Sequence, residues 1–202
     1  QQRLTEIADK LSQQHGAAVL TQRVDLQDEK QILNWFSAIA TRFTRLDVLI
    51  NNAGLGHKES LTSGTTEKWR ETLDVNVIAL SKRSPGQDRV HSVHISSMSG
   101  HRVPGSGMYS ASKFAVRALT EGLRQELRAD NSAIRISSIS PGFVETEFAE
   151  KYSGSREQAQ QVYSQFPVLQ PQDIASAVGY VLGQPDHVQV HDILLRPTQQ
   201  SS

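Results

Sequence analysis

The chain has 202 residues, enough for one domain with a sizeable core. Acidic and basic residues balance at 21 each, so no net field draws it to nucleic acid or to an acidic membrane surface. With no cysteine there is no disulfide framework and no thiol chemistry, and no apolar run approaches the length of a membrane span.

The first residues are Gln-Gln-Arg rather than Met, which reads as a fragment or processed product, and no secretory signal opens them. Leu4, Ile7, Ala8 and Leu11 recur at helical spacing, and Gly16 stops that helix. Ala17 to Val24 is β-capable and ends at Asp25, whose carboxylate could cap the next helix or bind a ligand at a strand end; the residues alone favour the cap. Glu29 to Phe43 is an amphipathic helix, with Ile32, Leu33, Phe36, Ile39 and Ala40 on one face. Leu46 to Ile50 reads as a buried strand running into Asn51-Asn52-Ala53-Gly54. Thr66 to Ser81 is helical, with Trp69, Leu73, Val77 and Leu80 on one face, and halts at Pro85-Gly86.

Val90 to Ile95 is the next strand and delivers Ser96-Ser97. A Gly/Pro-rich loop, Gly100 to Gly107, then leads to the longest helical pattern, Tyr109 to Arg128. Ile134 to Ile139 is a strand ending in Ser140-Pro141-Gly142-Phe143-Val144-Glu145-Thr146. The polar stretch to Phe166 is helical in part, and Tyr152, Tyr163 and Phe166 could either face an apolar ligand or pack on the sheet. Pro171 opens a helix to Leu182, Val188 to Arg196 is a last strand, and the tail should fray. Strands that are continuous apolar runs, alternating with helices over short connections, predict a parallel sheet covered on both faces. Ligands sit at the carboxyl edge of such sheets. Asp25, Asn51–Gly54, Ser96-Ser97 and Pro141–Thr146 all fall there.

Tyr109 and Lys113 stand four apart, so a helix holds them side by side. A nearby ammonium favours phenolate over phenol, which should lower the tyrosine pKa towards neutrality and let it exchange a proton with an alcohol or carbonyl oxygen. Such a pair is weak evidence by itself, because a core tyrosine beside a solvated lysine gives the same spacing. The serines on the preceding strand end strengthen it. His91 and His94 lie on opposite faces of their strand, which does not make a metal site. His57 and His101 sit in loops near the same edge, to touch substrate or simply to be solvated.

Asn51-Asn52-Ala53-Gly54, the Ser97/Tyr109/Lys113 spacing and Pro141-Gly142-x-Val144-x-Thr146, in this order, resemble the short-chain dehydrogenase/reductase family over nearly the whole chain. Ser97 to Val103, Thr120 to Arg128, and Asp192 with Arg196-Pro197-Thr198 resemble its branch called SDR family member eleven and the related insect farnesol dehydrogenases. The resemblance implies a single Rossmann-like, doubly wound α/β domain over residues 1–202 that binds NADP, or NAD, and interconverts a secondary alcohol and a carbonyl on a small apolar, steroid- or isoprenoid-like substrate. Tyr109 would be the acid/base, and Lys113 would lower its pKa and hold the nicotinamide ribose. Ser97 would hydrogen-bond the substrate carbonyl, with Ser96 and Ser99 as its alternates. Asn76 would hold a water in a proton relay to Lys113. Asp25 would bind the adenine, and Asn52, Ala53 and Gly54 would line the cofactor. Phe143, Val144, Glu145 and Thr146 would hold the carboxamide and phosphates after the Pro141-Gly142 turn.

Two departures qualify this. The family opens with a strand, a Thr-Gly-x-x-x-Gly-x-Gly turn, a helix and a second strand, none of which these 202 residues contain. That turn sets backbone N–H groups on the pyrophosphate. The second departure is Lys82 to Asp88, which shortens the helix after Asn76 and removes part of a surface that, in the family, packs on a partner in a homo-oligomer. An alternative reading follows: an inactive remnant of the fold, or an interaction partner, without cofactor.

Overall fold

The computed structural model describes residues 2–82, 90–104 and 107–201. The expected helix stop at Pro85-Gly86, the shortening segment after Lys82 and the Gly105-Ser106 part of the loop before Tyr109 lie outside them. The chain forms two compact units, Gln1–Leu46 and Asp47–Ser202.

The first unit holds two helices, α1 (Gln2–His15) and α2 (Glu29–Arg42). Gly16, at φ +63°, ends α1 in the left-handed conformation that only glycine adopts at no steric cost. Ala17–Val24 forms no strand, against expectation. In the doubly wound order the third strand pairs with the second and not with the fourth. These residues supply no second strand, so the segment has no ladder to join. The helix cap also differs from the expectation at Asp25. Asp28 caps α2, its Oδ1 accepting from Gln31 N at 3.2 Å. Asp25 instead makes the turn before it, accepting from Gln27 N at 3.0 Å.

The second unit is built on four parallel strands in sequence order: β1 (Val48–Asn51), β2 (His91–Ile95), β3 (Arg135–Pro141) and β4 (Asp192–Leu195). Successive side chains alternate between faces. On one face, Val93 and Ile139 pack with Val181 of α7 (Pro171–Leu182), joined by Ile95, Ile174, Val178, Ile193 and Leu195. On the other, Val90, Ile134 and Ile136 pack with Leu127 and Leu123 of α4 (Met108–Ala129), towards the amino ends of the strands. This is the doubly wound α/β arrangement the residue pattern predicts. In chain order α3 (Thr66–Leu73) lies between β1 and β2, and α5 (Phe148–Ser153) and α6 (Arg156–Tyr163) lie between β3 and α7. The helix expected over Thr66–Ser81 is not uniform. Asp74–Ile78 is a π turn, with Ala79 N–H reaching back five residues to Asp74 O at 2.8 Å. Nor does the tail simply fray, since Gln200 is buried, 6 % exposed. No helix among the described residues is long and apolar enough to cross a membrane.

Candidate active site

The carboxyl end of β2 delivers Ser97 to the start of a 3-10 turn, Met98–Gly100, where its Oγ accepts from Ser99 N at 3.1 Å. A serine at this point satisfies an orphan N–H of the turn and is thereby held in one orientation. α4 begins just before Tyr109, and the Ser97 hydroxyl lies near enough to the Tyr109 phenol to favour its ionised form. Lys113, one helical turn on and 5 % exposed, donates from Nζ to Ile95 O at 3.0 Å and stands 5.7 Å from the Tyr109 ring centre. The phenol, the ammonium and the serine hydroxyl are thus gathered at one point. Ser96 Oγ makes no hydrogen bond to this cluster: it is buried without a hydrogen-bond partner among the described residues, 3.3 Å from where a Cβ on Gly100 would lie.

The π turn of Asp74–Ile78 adds a residue to the helical ladder, a device common at functional sites. It sets Asn76, 2 % exposed, against the loop after β1. The Asn76 amide donates to Leu55 O (2.7 Å) and to Ser112 Oγ (3.0 Å), while its Oδ1 accepts from Leu55 N (2.9 Å). Ser112 Oγ in turn donates to Tyr109 O at 2.7 Å. Asn76 therefore ties Leu55, the residue after Asn52–Gly54, to Ser112 near the start of α4. A Cβ at Gly54 would lie 3.4 Å from Asn76 Oδ1 and 3.6 Å from Lys113 Nζ. A Cβ at Gly56 would stand 2.8 Å from the Tyr109 ring, so the loop can pass there only as glycine.

Burial sets the charge states. The Tyr109 phenol is pushed up to about 12, because burial outweighs the Ser97 hydrogen bond. This corrects the expectation of a lowered tyrosine. The four-residue spacing places the ammonium nearby, but Lys113 is itself desolvated, down to about 8, and its Nζ is engaged by Ile95 O. The cover over Tyr109 comes from α5: Phe148 packs on its ring at 5.1 Å and Tyr152 at 6.1 Å between centroids. Phe148 escapes sequence reasoning, since nothing in a short polar helix marks which side faces a tyrosine 39 residues earlier. Tyr152 does face the site. Tyr163 instead donates to Thr146 O (3.2 Å) and accepts from Thr146 N (3.4 Å), and Phe166 packs on Phe143 at 6.4 Å.

The segment after β3 makes the expected turn. Gly142 N donates to Leu195 O (2.8 Å), Val144 bridges Leu169, and Glu145 accepts from Gln170 Nε2 at 2.9 Å. Thr146 Oγ1 accepts from Phe148 N at 3.2 Å, at the start of α5. Asp25 belongs to the first unit, where its carboxylate is occupied by Gln27 N.

The loop histidines are not simply solvated. His57 Nε2 meets Glu71 Oε2 at 2.7 Å, and His101 Nε2 meets Asp192 Oδ2 at 2.7 Å and Ser140 Oγ at 3.2 Å. His94 sits in a buried chain whose hydrogens can be placed by elimination. Thr120 gives its one hydrogen to Val116 O (2.7 Å), so it accepts from His94 Nδ1 (2.9 Å). Nε2 then accepts from Ser92 Oγ (3.2 Å), which accepts from Asn51 Nδ2 (3.3 Å). Desolvation first, and the Lys113 charge second, hold His94 down to about 4. His91 lies on the opposite strand face, bonded to Ser137 Oγ at 2.9 Å. No group of three or more metal-ligating side chains occurs among the described residues.

A family profile described as short chain dehydrogenase matches residues 1–157. The chain belongs to the short chain dehydrogenase family. It is 46 % identical over 199 residues to dehydrogenase/reductase SDR family member 11 of Bos taurus, covering 92 % of this chain and 78 % of the relative. It is 38 % identical over 188 residues to the farnesol dehydrogenase of Aedes aegypti, covering 87 % and 73 %. Among solved structures it is similar to the closed form of serine dehydrogenase complexed with NADP+, at TM-score 0.87 and 26 % identity over 98 % of this chain and 83 % of that one. The fold is accordingly Rossmann-like, and the protein is an NAD(P)-dependent dehydrogenase/reductase.

The residues present fit the nicotinamide end of that cofactor. Gly54 leaves a cradle beside Asn76 and Lys113 that a Cβ would enter. Lys113 keeps an ammonium at the floor of the same cradle.

Proposed function

We propose that the chain interconverts a secondary alcohol and a ketone or aldehyde on an apolar, steroid- or isoprenoid-like substrate, with NADP as the preferred cofactor. The observation that carries this reading is the convergence of Ser97, Tyr109 and Lys113 on one point. The cofactor, when bound, supplies or accepts the hydride.

In the reducing direction, Tyr109 holds its proton, as its raised pKa requires, and gives it to the carbonyl oxygen as negative charge develops there. Ser97 donates to the same oxygen from a hydroxyl whose lone pair is fixed by Ser99 N–H. Burial lowers the Lys113 ammonium to about 8, so it gives a proton towards Tyr109 more readily than an ordinary lysine, and it would hold the ribose hydroxyls. The Asn76 amide hydrogens are taken up by Leu55 and Ser112, so a relay water would have to donate to its Oδ1. Asn52, Ala53, Gly54 and the Pro141–Thr146 segment line the nicotinamide side, and Asp25 is assigned to the adenine.

Phe148 and Tyr152 stack on each other at 5.9 Å over Tyr109 and present an apolar wall to whatever reaches the phenol. That wall favours an apolar substrate, and the activity named for the Aedes relative, farnesol dehydrogenase, agrees with it. The test is NADPH oxidation against ketones of increasing apolar area at constant carbonyl chemistry. kcat/KM should rise with apolar area and fall about 100-fold or more in Ser97→Ala, the scale of losing one oxyanion donor. A preference for small polar ketones would overturn the substrate reading, and full activity in Ser97→Ala would remove Ser97 from its role.

A further inference from the structure

The Pro141–Thr146 segment leaves the sheet and still has to hold its backbone in one place. Phe143 is fixed on both sides: its C=O accepts from Leu169 N at 3.0 Å, and its N–H donates to the side-chain Oε1 of Gln200 at 3.0 Å. Glu145 N then donates to Leu169 O at 2.9 Å. In a parallel bridge the partner takes groups from the residues on either side, so the middle residue's own N–H and C=O point the other way. Val144 therefore presents its peptide groups away from Leu169.

Gln200 is an unusual residue to find doing this. It is one of the last residues of the chain, yet it is 6 % exposed. A buried amide is tolerated when its polar atoms are hydrogen-bonded. Gln200 N donates to Pro197 O at 3.1 Å in a turn just beyond β4, and Arg196 Nη1 donates to Ser201 O at 3.4 Å, which together aim the side chain inward. Gly142 makes room for it: a Cβ there would lie 2.8 Å from Arg196 Cβ and would run into the Gln200 amide. The glycine of Pro141-Gly142 thus serves a close approach by the tail, beyond the turn itself.

We propose that Gln200 is a positioning residue for the nicotinamide end of the cofactor: it fixes the Phe143 peptide and thereby the direction in which Val144 offers its N–H and C=O. The inference rests on the reading that Pro141–Thr146 lines that end. An acceptor at the tip of the side chain is what the role demands. Glutamate keeps one, whereas methionine keeps the length and loses it.

The experiment compares the full chain with Gln200→Met and Gln200→Glu by amide hydrogen exchange at Phe143 without cofactor, and by NADPH affinity and ketone KM. In Gln200→Met, Phe143 exchange should rise at least about tenfold relative to α7 amides, and NADPH should bind about tenfold more weakly, the scale of one lost hydrogen bond. Ketone KM should stay within about twofold, and Gln200→Glu should recover most of the affinity. Unchanged Phe143 exchange in Gln200→Met would overturn the proposal. So would faster exchange with NADPH affinity equal to wild type, which would leave Gln200 a purely structural clamp. A wild-type chain that binds neither NADPH nor NADH would overturn the underlying reading of the segment, and the proposal with it.

Discussion

The two faces of the parallel sheet are built on different principles. Against α7 the sheet presents Val93, Ile95, Ile139, Ile193 and Leu195, an apolar layer that holds by area and packing. Against α4 the apolar layer covers only the amino ends, and towards the carboxyl edge it gives way to Ser92, His94, Ser96, Ser138, Ser140 and Asp192. Those groups are held by directional bonds, from Asn51 to Thr120 through His94, and from Ser140 to Asp192 (2.8 Å) and His101. The apolar face tolerates small shifts, whereas the polar one fixes orientation, and it is the polar face that carries Ser97, Tyr109 and Lys113. Stability and positioning are therefore separable by mutation.

The largest effect is expected on the apolar face. Ile139→Ala removes a fully buried side chain and should lower unfolding free energy by about 2–5 kcal/mol in denaturant titration. The activity of the molecules that remain folded should be unchanged. Next comes the acid sensitivity of the polar face. The folded value of His94, about 4, lies below its ordinary 6.5, so between these pH values the unfolded chain binds a proton that the folded chain refuses. The stability concerned is fully present above pH 6.5 and is lost as pH falls towards 4, by about 3 kcal/mol at most from His94. His91, on the opposite strand face, is depressed to about 4 by desolvation first and the Arg135 charge second, and adds in the same direction. Denaturant titrations at pH 7 and pH 5 check this. A His94→Asn variant should show a shallower slope, and an unchanged slope would place the acid sensitivity elsewhere.

How much of this was legible in the sequence divides along similar lines. Period and punctuation located β2, β3, α4 and α7, because each is a local pattern bounded by local signals. The strand expected at Ala17–Val24 failed because pairing is not local. The π turn at Asp74–Ile78 leaves no trace in a helical apolar pattern. Spacing placed Lys113 beside Tyr109 correctly but could not reveal that Phe148 and Tyr152 of α5 cover the Tyr109 ring, and the direction of the Tyr109 shift was missed for that reason. Gln200 looked like tail because the Phe143 N–H that its side chain accepts from lies 57 residues away.

Two smaller effects sharpen the contrast within the polar face. Gly56→Ala sets a methyl 2.8 Å from the Tyr109 ring and should reduce kcat by something on the order of a hundredfold, with ketone KM less affected. Stopped-flow NADPH oxidation would show it, and a variant with normal kcat would mean that the ring yields freely. Asp192→Asn removes the charge that holds His101, whose turn also carries Ser97, and should cost about 1 kcal/mol of stability. A thermal melt beside the wild type would read that loss.

The most direct test is single-turnover NADPH oxidation by Tyr109→Phe with an apolar ketone, alongside NADPH affinity. Removing only the phenolic oxygen should slow the reaction by about 100-fold to 10,000-fold, the range of a general acid, while NADPH binds within about twofold of wild type. A variant that binds NADPH and still turns over at the wild-type rate would show that the proton comes from elsewhere.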